Sequence, residues 1–192
     1  MIQGILLAAG RSERFGSDKL LHRLGDGTPI ALASARTLRT VLGNALVVVR
    51  SGASELNKRL RDDGFDVRVC ARSDEGMGAS LAFAVAESRT AAGWLVALAD
   101  MPFVRPETVA AIARLIAGGA DMAAPSWRGR RGHPVGFSDR FGVALTGLCG
   151  DAGARGLIES GEGHLVTYAC DDPGCLRDVD YPADLTDPRP VP

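Results

Sequence analysis

A chain of 192 residues, 46% hydrophobic and 5% aromatic, is long enough to bury a full core and fits one domain. Its formal net charge of −1 gives no bulk attraction to nucleic acid or to a membrane surface. No apolar run approaches the roughly 20 residues of a membrane span, and the start shows no basic, apolar and cleavable leader. Cys70, Cys149, Cys170 and Cys175 lack the paired spacing of a zinc site, so the expectation is a cytoplasmic protein with reduced thiols.

The elements alternate along the chain. Short apolar runs at Ile2 to Ala8, Leu46 to Val49, Val67 to Cys70, Leu95 to Ala99 and Met122 to Ala124 read as strands buried on both faces of a sheet. Between them lie helical patterns. Thr28 reads as an N-cap before Pro29, opening a helix from Ile30 to Val41. Ser54 reads as the cap of a segment running to about Asp63, before Gly64. Gly78 to Ala92 places Leu81, Val85 and Ala92 at helical spacing. Pro106 starts a further helix with Val109, Ile112, Ala113 and Ile116 as its stripe, stopped at Gly118-Gly119.

Strand, helix, strand, repeated four times, predicts a three-layer doubly wound α/β fold with a mostly parallel sheet. After about Pro125 the rhythm changes. Trp127 to Phe137 reads as a small hairpin insertion around a glycine-bearing turn. Asp139 to Leu148 and Ala154 to Ile158 read as helices, and His164 to Ala169 as a last strand. The domain is expected to span residues 1–186, with the proline-rich residues 187–192 as a poorly ordered tail.

Four constellations carry possible chemistry. The first strand feeds a loop with glycines at Gly10 and Gly16 and cations at Arg11, Arg14 and Lys19. Backbone N–H groups and converging cations suit a polyphosphate, although a solvated basic loop has the same composition. Nearly all of the chain's positive charge is arginine, and Lys19 and Lys58 are its only lysines. A compact ammonium at Lys19 therefore points to a specific geometric need. Asp100 ends a fully apolar strand, where doubly wound sheets present their ligands, and Pro102 stops that strand. A lone carboxylate there suits Mg²⁺ beside phosphates, or the cap of the next helix. Asp178 and Asp180 share one face of an extended segment, and either is able to complete a metal site with Asp100. Last, Gly76, Gly78 and Ser80 lie in a turn entering a helix, either as a base and ribose contact or as a plain glycine-rich helix start.

Together, Leu7-Ala8-Ala9-Gly10, Arg14-Phe15-Gly16 and Lys19 resemble the signature loop of the sugar-phosphate and cofactor nucleotidyltransferases. Gly76-Met77-Gly78-Ala79-Ser80-Leu81, Ala99-Asp100-Met101-Pro102, Arg131-Gly132-His133-Pro134-Val135 and Asp178-Val179-Asp180 make the chain most similar to the molybdenum-cofactor cytidylyltransferases. The resemblance runs from Ile2 to about Leu185. It implies transfer of CMP from CTP to the terminal phosphate of molybdopterin, with release of pyrophosphate. Ala8, Ala9, Gly10 and Arg11 would line the nucleotide pocket, with Gly76, Gly78 and Ser80 near base and ribose. Arg14, Lys19 and Asp100 would be catalytic, and Asp100 and Asp180 would hold Mg²⁺. His133, Pro134, Gly136, Gly150 and Asp151 would border the acceptor.

An attacking phosphate is already an anion, so the implied reaction needs no general base, only charge neutralisation and alignment. Tyr181 departs from the threonine usual in the closing motif, which leaves Asp178 and Asp180 both open as the second metal ligand. GTP in place of CTP, a different small-molecule acceptor, or a non-catalytic cofactor carrier are the alternatives. A molybdoenzyme of the xanthine dehydrogenase type is the expected recipient.

Overall fold

The computed structural model describes residues 1–10, 15, 18–151 and 153–185. The chain runs β1 (Gln3–Ala8), α1 (Ile30–Leu42), β2 (Ala45–Arg50), α2 (Ser54–Asp62), β3 (Asp66–Cys70), α3 (Met77–Glu87), β4 (Gly93–Leu98) and α4 (Pro106–Ala117). It continues as β5 (Met122–Trp127), β6 (Arg130–Arg131), β7 (Val135–Ser138), α5 (Gly142–Thr146), α6 (Arg155–Glu159) and β8 (Leu165–Ala169). The sheet is mixed and mostly parallel, in the order β3-β2-β1-β4-β7-β5, with β8 beside β5. β1 lies between β2 and β4 and is parallel to both. The chain therefore winds outward from β1 to β3 and returns on its other side at β4. The reversal leaves a crevice above the carboxyl ends of β1 and β4, the usual ligand position in such sheets.

Period-two alternation splits the core into two layers. Leu6 and Ala8 of β1 join Val47, Val49 and Leu95 beneath α1, α2 and α4. Ile5 and Leu7 face the other way, with Val48, Trp94, Val96 and Phe137, beneath α3 and α5. Both sets are buried because helices cover both faces, which is why the strands read as continuous apolar runs. Leu6→Ala would cost about 2–5 kcal/mol by leaving a cavity there.

Three local expectations are corrected. The N-cap of α1 is Pro29, not Thr28. Thr28 instead closes a turn, donating its N–H to Asp26 Oδ1 at 2.8 Å. Ser54 is the first residue of α2, after an Ala53 N-cap. α3 stops at Glu87 rather than Ala92, and Ala92 is exposed. Ser88 ends that helix by donating its hydroxyl to the Ala84 carbonyl while accepting from Trp94 Nε1.

The hairpin insertion is present, and its return arm does more than turn back. β5 and β6 are joined by Arg128-Gly129, both in the left-handed region at φ 51° and 78°, as a two-residue hairpin loop requires. β7 then inserts antiparallel between β4 and β5. No helix among the described residues is long and apolar enough to cross a membrane.

Candidate active site

A cavity of about 370 Å³ opens above the carboxyl ends of β1 and β4. Ala8, Ala9 and Gly10 form one wall, and Gly76 and Ser80 at the start of α3 form another. Lys19, Asp100 and Asp151 also line it. Among the described residues, a Cβ added at Gly10 would meet nothing within 4 Å. Arg11, Arg14 and Gly16 lie outside the described residues.

Lys19 is the polar centre of this cavity. Its Nζ donates to Asp100 Oδ2 at 2.9 Å and to Asp180 Oδ1 at 3.1 Å. The Lys19 side chain is only 9% exposed. Burial alone would lower its pKa, but the Asp100 and Asp180 carboxylates outweigh it and hold the ammonium above its ordinary value.

Each partner is positioned by the backbone. The Asp100 turn is held by Ala99 N–H on the Leu7 carbonyl at 3.1 Å and by Ser34 Oγ on the Ala99 carbonyl at 3.0 Å. Val179, fully buried, donates its N–H to the Asp100 carbonyl at 2.9 Å, which brings the 177–181 segment alongside. Asp184 Oδ2 accepts from the N–H groups of Asp180 and Tyr181 and fixes the turn that carries Asp180. The Tyr181 side chain is half exposed, so the departure from threonine leaves the Lys19–Asp180 contact in place. Burial, with Asp180 and Asp100 nearby, raises the pKa of Asp178 and disfavours its ionised form.

The carboxylates of Asp100 and Asp180 thus converge on one cation-sized point, already taken by an ammonium. Hard oxygen donors facing a phosphate-sized cavity suit a divalent ion such as Mg²⁺. Among the described residues no group of three or more His, Cys, Asp and Glu side chains is arranged to hold a metal. The protein would bring two carboxylates, and water and phosphate the remaining ligands.

A second cavity of about 380 Å³ adjoins the first, sharing Leu7, Met77, Leu98 and Asp151. Its floor is apolar, with Leu81, Val96, Val135 and Phe137, and Arg131, His133 and Arg155 lie around it. His133 donates its backbone N–H to the Cys175 carbonyl at 2.8 Å. Burial, aided by Arg131 and opposed by Asp100 and a backbone hydrogen bond with Val96, pushes the ring pKa below its ordinary value. Among the described residues the buried Nδ1 has no hydrogen-bond partner.

Of the expected acceptor residues, His133 and Asp151 line this second cavity. Pro134 does not, because it faces a small gap beneath α1 and α4 with Ser34 and Val109. Gly136 is also displaced from the expectation. A Cβ there would come within 2.5 Å of Ile116, so the glycine lets α4 press onto β7. Gly150 accepts the Gly78 N–H at 2.8 Å and acts behind the wall. Gly78 likewise supports the wall without lining the cavity, since a Cβ would meet the Cys149 carbonyl oxygen at 2.6 Å. Gly76, at φ +114°, would meet Gly150 at 2.4 Å.

Sequence reasoning missed Ser73 and Asp74, which line the first cavity from the turn before Gly76. It also missed Asp172, which is 2% exposed. Asp172 accepts from Thr108 Oγ1 at 2.6 Å, Arg105 N at 3.0 Å and Gly174 N at 2.9 Å. These bonds tie the chain after β8 to the start of α4 and direct it toward Asp100. A strand-end aspartate just before Pro173 was the available signal.

A family model described as the MobA-like NTP transferase domain matches residues 4–167. The chain is 31% identical over 194 residues to the purine catabolism protein PucB of Bacillus subtilis, covering 93% of this chain and 91% of that one. It is 38% identical over 128 residues to a molybdenum cofactor guanylyltransferase of Burkholderia ambifaria, covering 64% of this chain and 60% of that one. Among solved structures, Rv0371c from Mycobacterium tuberculosis matches with a TM-score of 0.84 at 31% identity, over 97% of this chain and 96% of that one. A structure of Rv0371c in complex with manganese matches with a TM-score of 0.79 at 30% identity, over 96% of both chains.

Proposed function

The chain belongs to the MobA-like NTP transferase family, whose members are nucleotidyltransferases, and from that premise we propose that it moves CMP from CTP to the terminal phosphate of molybdopterin. The observation that carries this reading is the Lys19–Asp100–Asp180 cluster, whose Lys19 and Asp100 line one cavity beside which a second opens. The first cavity takes the triphosphate, with the Ala8 to Gly10 backbone and Lys19 along it, and the second cavity takes the acceptor.

The acceptor phosphate attacks the α-phosphorus in line, and the bond to the pyrophosphate oxygen breaks. Lys19, and by the sequence pattern Arg14, neutralise charge that would otherwise repel the two polyanions. Asp100 and Asp180 hold Mg²⁺, which when bound polarises the phosphoryl oxygens and offsets their charge. The manganese complex of the similar mycobacterial protein supports a divalent ion. An ionised phosphate has no proton for His133 to remove, and His133, whose burial disfavours the charged ring, borders the acceptor instead.

GTP is the second reading, favoured by the Burkholderia guanylyltransferase similarity. The Bacillus relative, a purine catabolism protein by name, supports a purine-oxidising molybdoenzyme of the xanthine dehydrogenase type as the recipient. Pyrophosphate release with each NTP, with and without molybdopterin, tests the proposal. Release that requires CTP and molybdopterin together is expected. Release with GTP alone among the nucleotides would transfer the reading to guanylyl transfer, and nucleotide binding without release would favour a carrier.

A further inference from the structure

Lys19 occupies the one point that both Asp100 Oδ2 and Asp180 Oδ1 face, at 2.9 and 3.1 Å. The two oxygens come from segments 80 residues apart, one at the end of β4 and one beyond β8, and the ammonium bonds to both. A divalent cation held by the same pair of oxygens must take the same point. Both cannot stay, because the two positive charges would repel across a shared pair of ligands. Lys19 also lines the first cavity, and its four-carbon stem ends in three rotatable donors. A triphosphate in that cavity offers the displaced ammonium a new anionic partner a short swing away. An arginine would grip the carboxylates through its planar fork and release them less readily. That difference accounts for one of the chain's only two lysines standing here, where arginine supplies nearly all other positive charge.

We propose that Lys19 is an internal placeholder for the metal, and that its transfer from the Asp100–Asp180 pair to the nucleotide phosphates couples metal binding to NTP binding. The inference rests on the reading that this cavity takes a metal-bound NTP. Coupling of this kind is reciprocal. The ion binds weakly to the protein alone and more tightly once nucleotide has drawn Lys19 away, and the nucleotide gains by the same factor.

The test is Mn²⁺ binding, followed by its electron paramagnetic resonance signal, in the wild-type protein and in Lys19→Met. The variant keeps the stem and loses the charge. Without nucleotide, Lys19→Met is expected to bind Mn²⁺ about tenfold more tightly than wild type, within the usual range of coupling factors. The enhancement that CTP brings should shrink in the variant by the same factor. Lys19→Arg, which keeps a cation on the carboxylates, should not show the gain. Asp100→Asn in the Lys19→Met background should abolish it and so locate the ion. A larger Mn²⁺-induced rise in melting temperature for Lys19→Met than for wild type is an independent readout, and Lys19→Ala replaces the variant if it folds poorly. Mn²⁺ binding by Lys19→Met and Lys19→Ala that is no tighter than wild type would overturn the placeholder. Failure of the wild-type protein to bind CTP or GTP would instead overturn the nucleotidyl-transfer reading, and the nucleotide-free Mn²⁺ comparison would still judge the placeholder.

Discussion

The two cavities that meet above β1 and β4 gather different side chains. The first gathers Lys19, Asp100, Ser73, Ser80 and the backbone of Gly10 around one polar centre. The second has a floor of Leu81, Val96, Val135 and Phe137, with Arg131, His133, Asp151 and Arg155 around it. In the proposed reading, one holds charge in a fixed place, and the other accepts a body of the right shape and steers its anionic end. In the proposed reaction, chemistry belongs to the first cavity and choice of acceptor to the second. Substitutions on the two sides should therefore fail differently.

The largest effect belongs to the polar side. Asp100→Ala and Lys19→Ala should each lower turnover by about 10²-fold or more, the usual cost of losing one charge contact made in the transition state. Steady-state rates in folded protein check this, and near wild-type turnover in both variants would break the contrast. Gly76→Ala should act on stability before chemistry, because its φ of +114° and the 2.4 Å approach of Gly150 leave no room for a Cβ. A loss of about 2 kcal/mol or more is expected in a denaturant melt. Unchanged stability with weakened nucleotide binding would show that this glycine makes room for ligand rather than for Gly150.

On the acceptor side, Arg131→Ala should raise KM for the acceptor about 5-fold, the worth of one exposed charge contact near 1 kcal/mol. KM for the nucleotide and kcat should stay unchanged, as expected for uniform binding energy. A fall in kcat instead would place Arg131 with the chemistry and blur the division between the cavities.

The smallest effect lies away from both cavities. A hydrogen bond from Arg36 holds the Asp63 carboxyl below the usual carboxylate range, against burial and with further help from Arg36 and Arg39. Its stabilisation is fully present above the unfolded carboxylate value near pH 4 and is lost as pH falls through the lower folded value. Asp63→Asn should cost about 1 kcal/mol at pH 7, with no change in either KM. The difference from wild type should vanish in melts at strongly acidic pH.

The parallel half of the sheet was readable because β1, β2 and β4 are short apolar runs punctuated by helical spacing. β3, with Arg68 and Val69 exposed at the sheet edge, is not buried on both faces as its run suggested. The place of β7 was not. A four-residue strand of Val135-Gly136-Phe137-Ser138 has no period to reveal that it wedges between β4 and β5. Glycines showed a similar limit. The sequence marks where backbone must approach something closely, but not what it approaches. Gly78 meets the Cys149 carbonyl and Gly136 meets Ile116, and neither faces a cavity. Lys19 was conspicuous as a rare lysine, yet its contacts with Asp100 and Asp180 span 81 and 161 residues and exist only in the folded chain. Asp178 and Asp180 looked equivalent on one strand face, and only the fold distinguishes the one that touches Lys19.

The most direct test of the account follows the phosphorus atom itself. Wild-type protein is incubated with molybdopterin, Mg²⁺ and CTP labelled at the α-phosphate, and the labelled products are separated. The account predicts label on the acceptor as a cytosine dinucleotide, with one unlabelled pyrophosphate released for each transfer. Label remaining in CTP, or appearing only as free CMP whether or not acceptor is present, would contradict it.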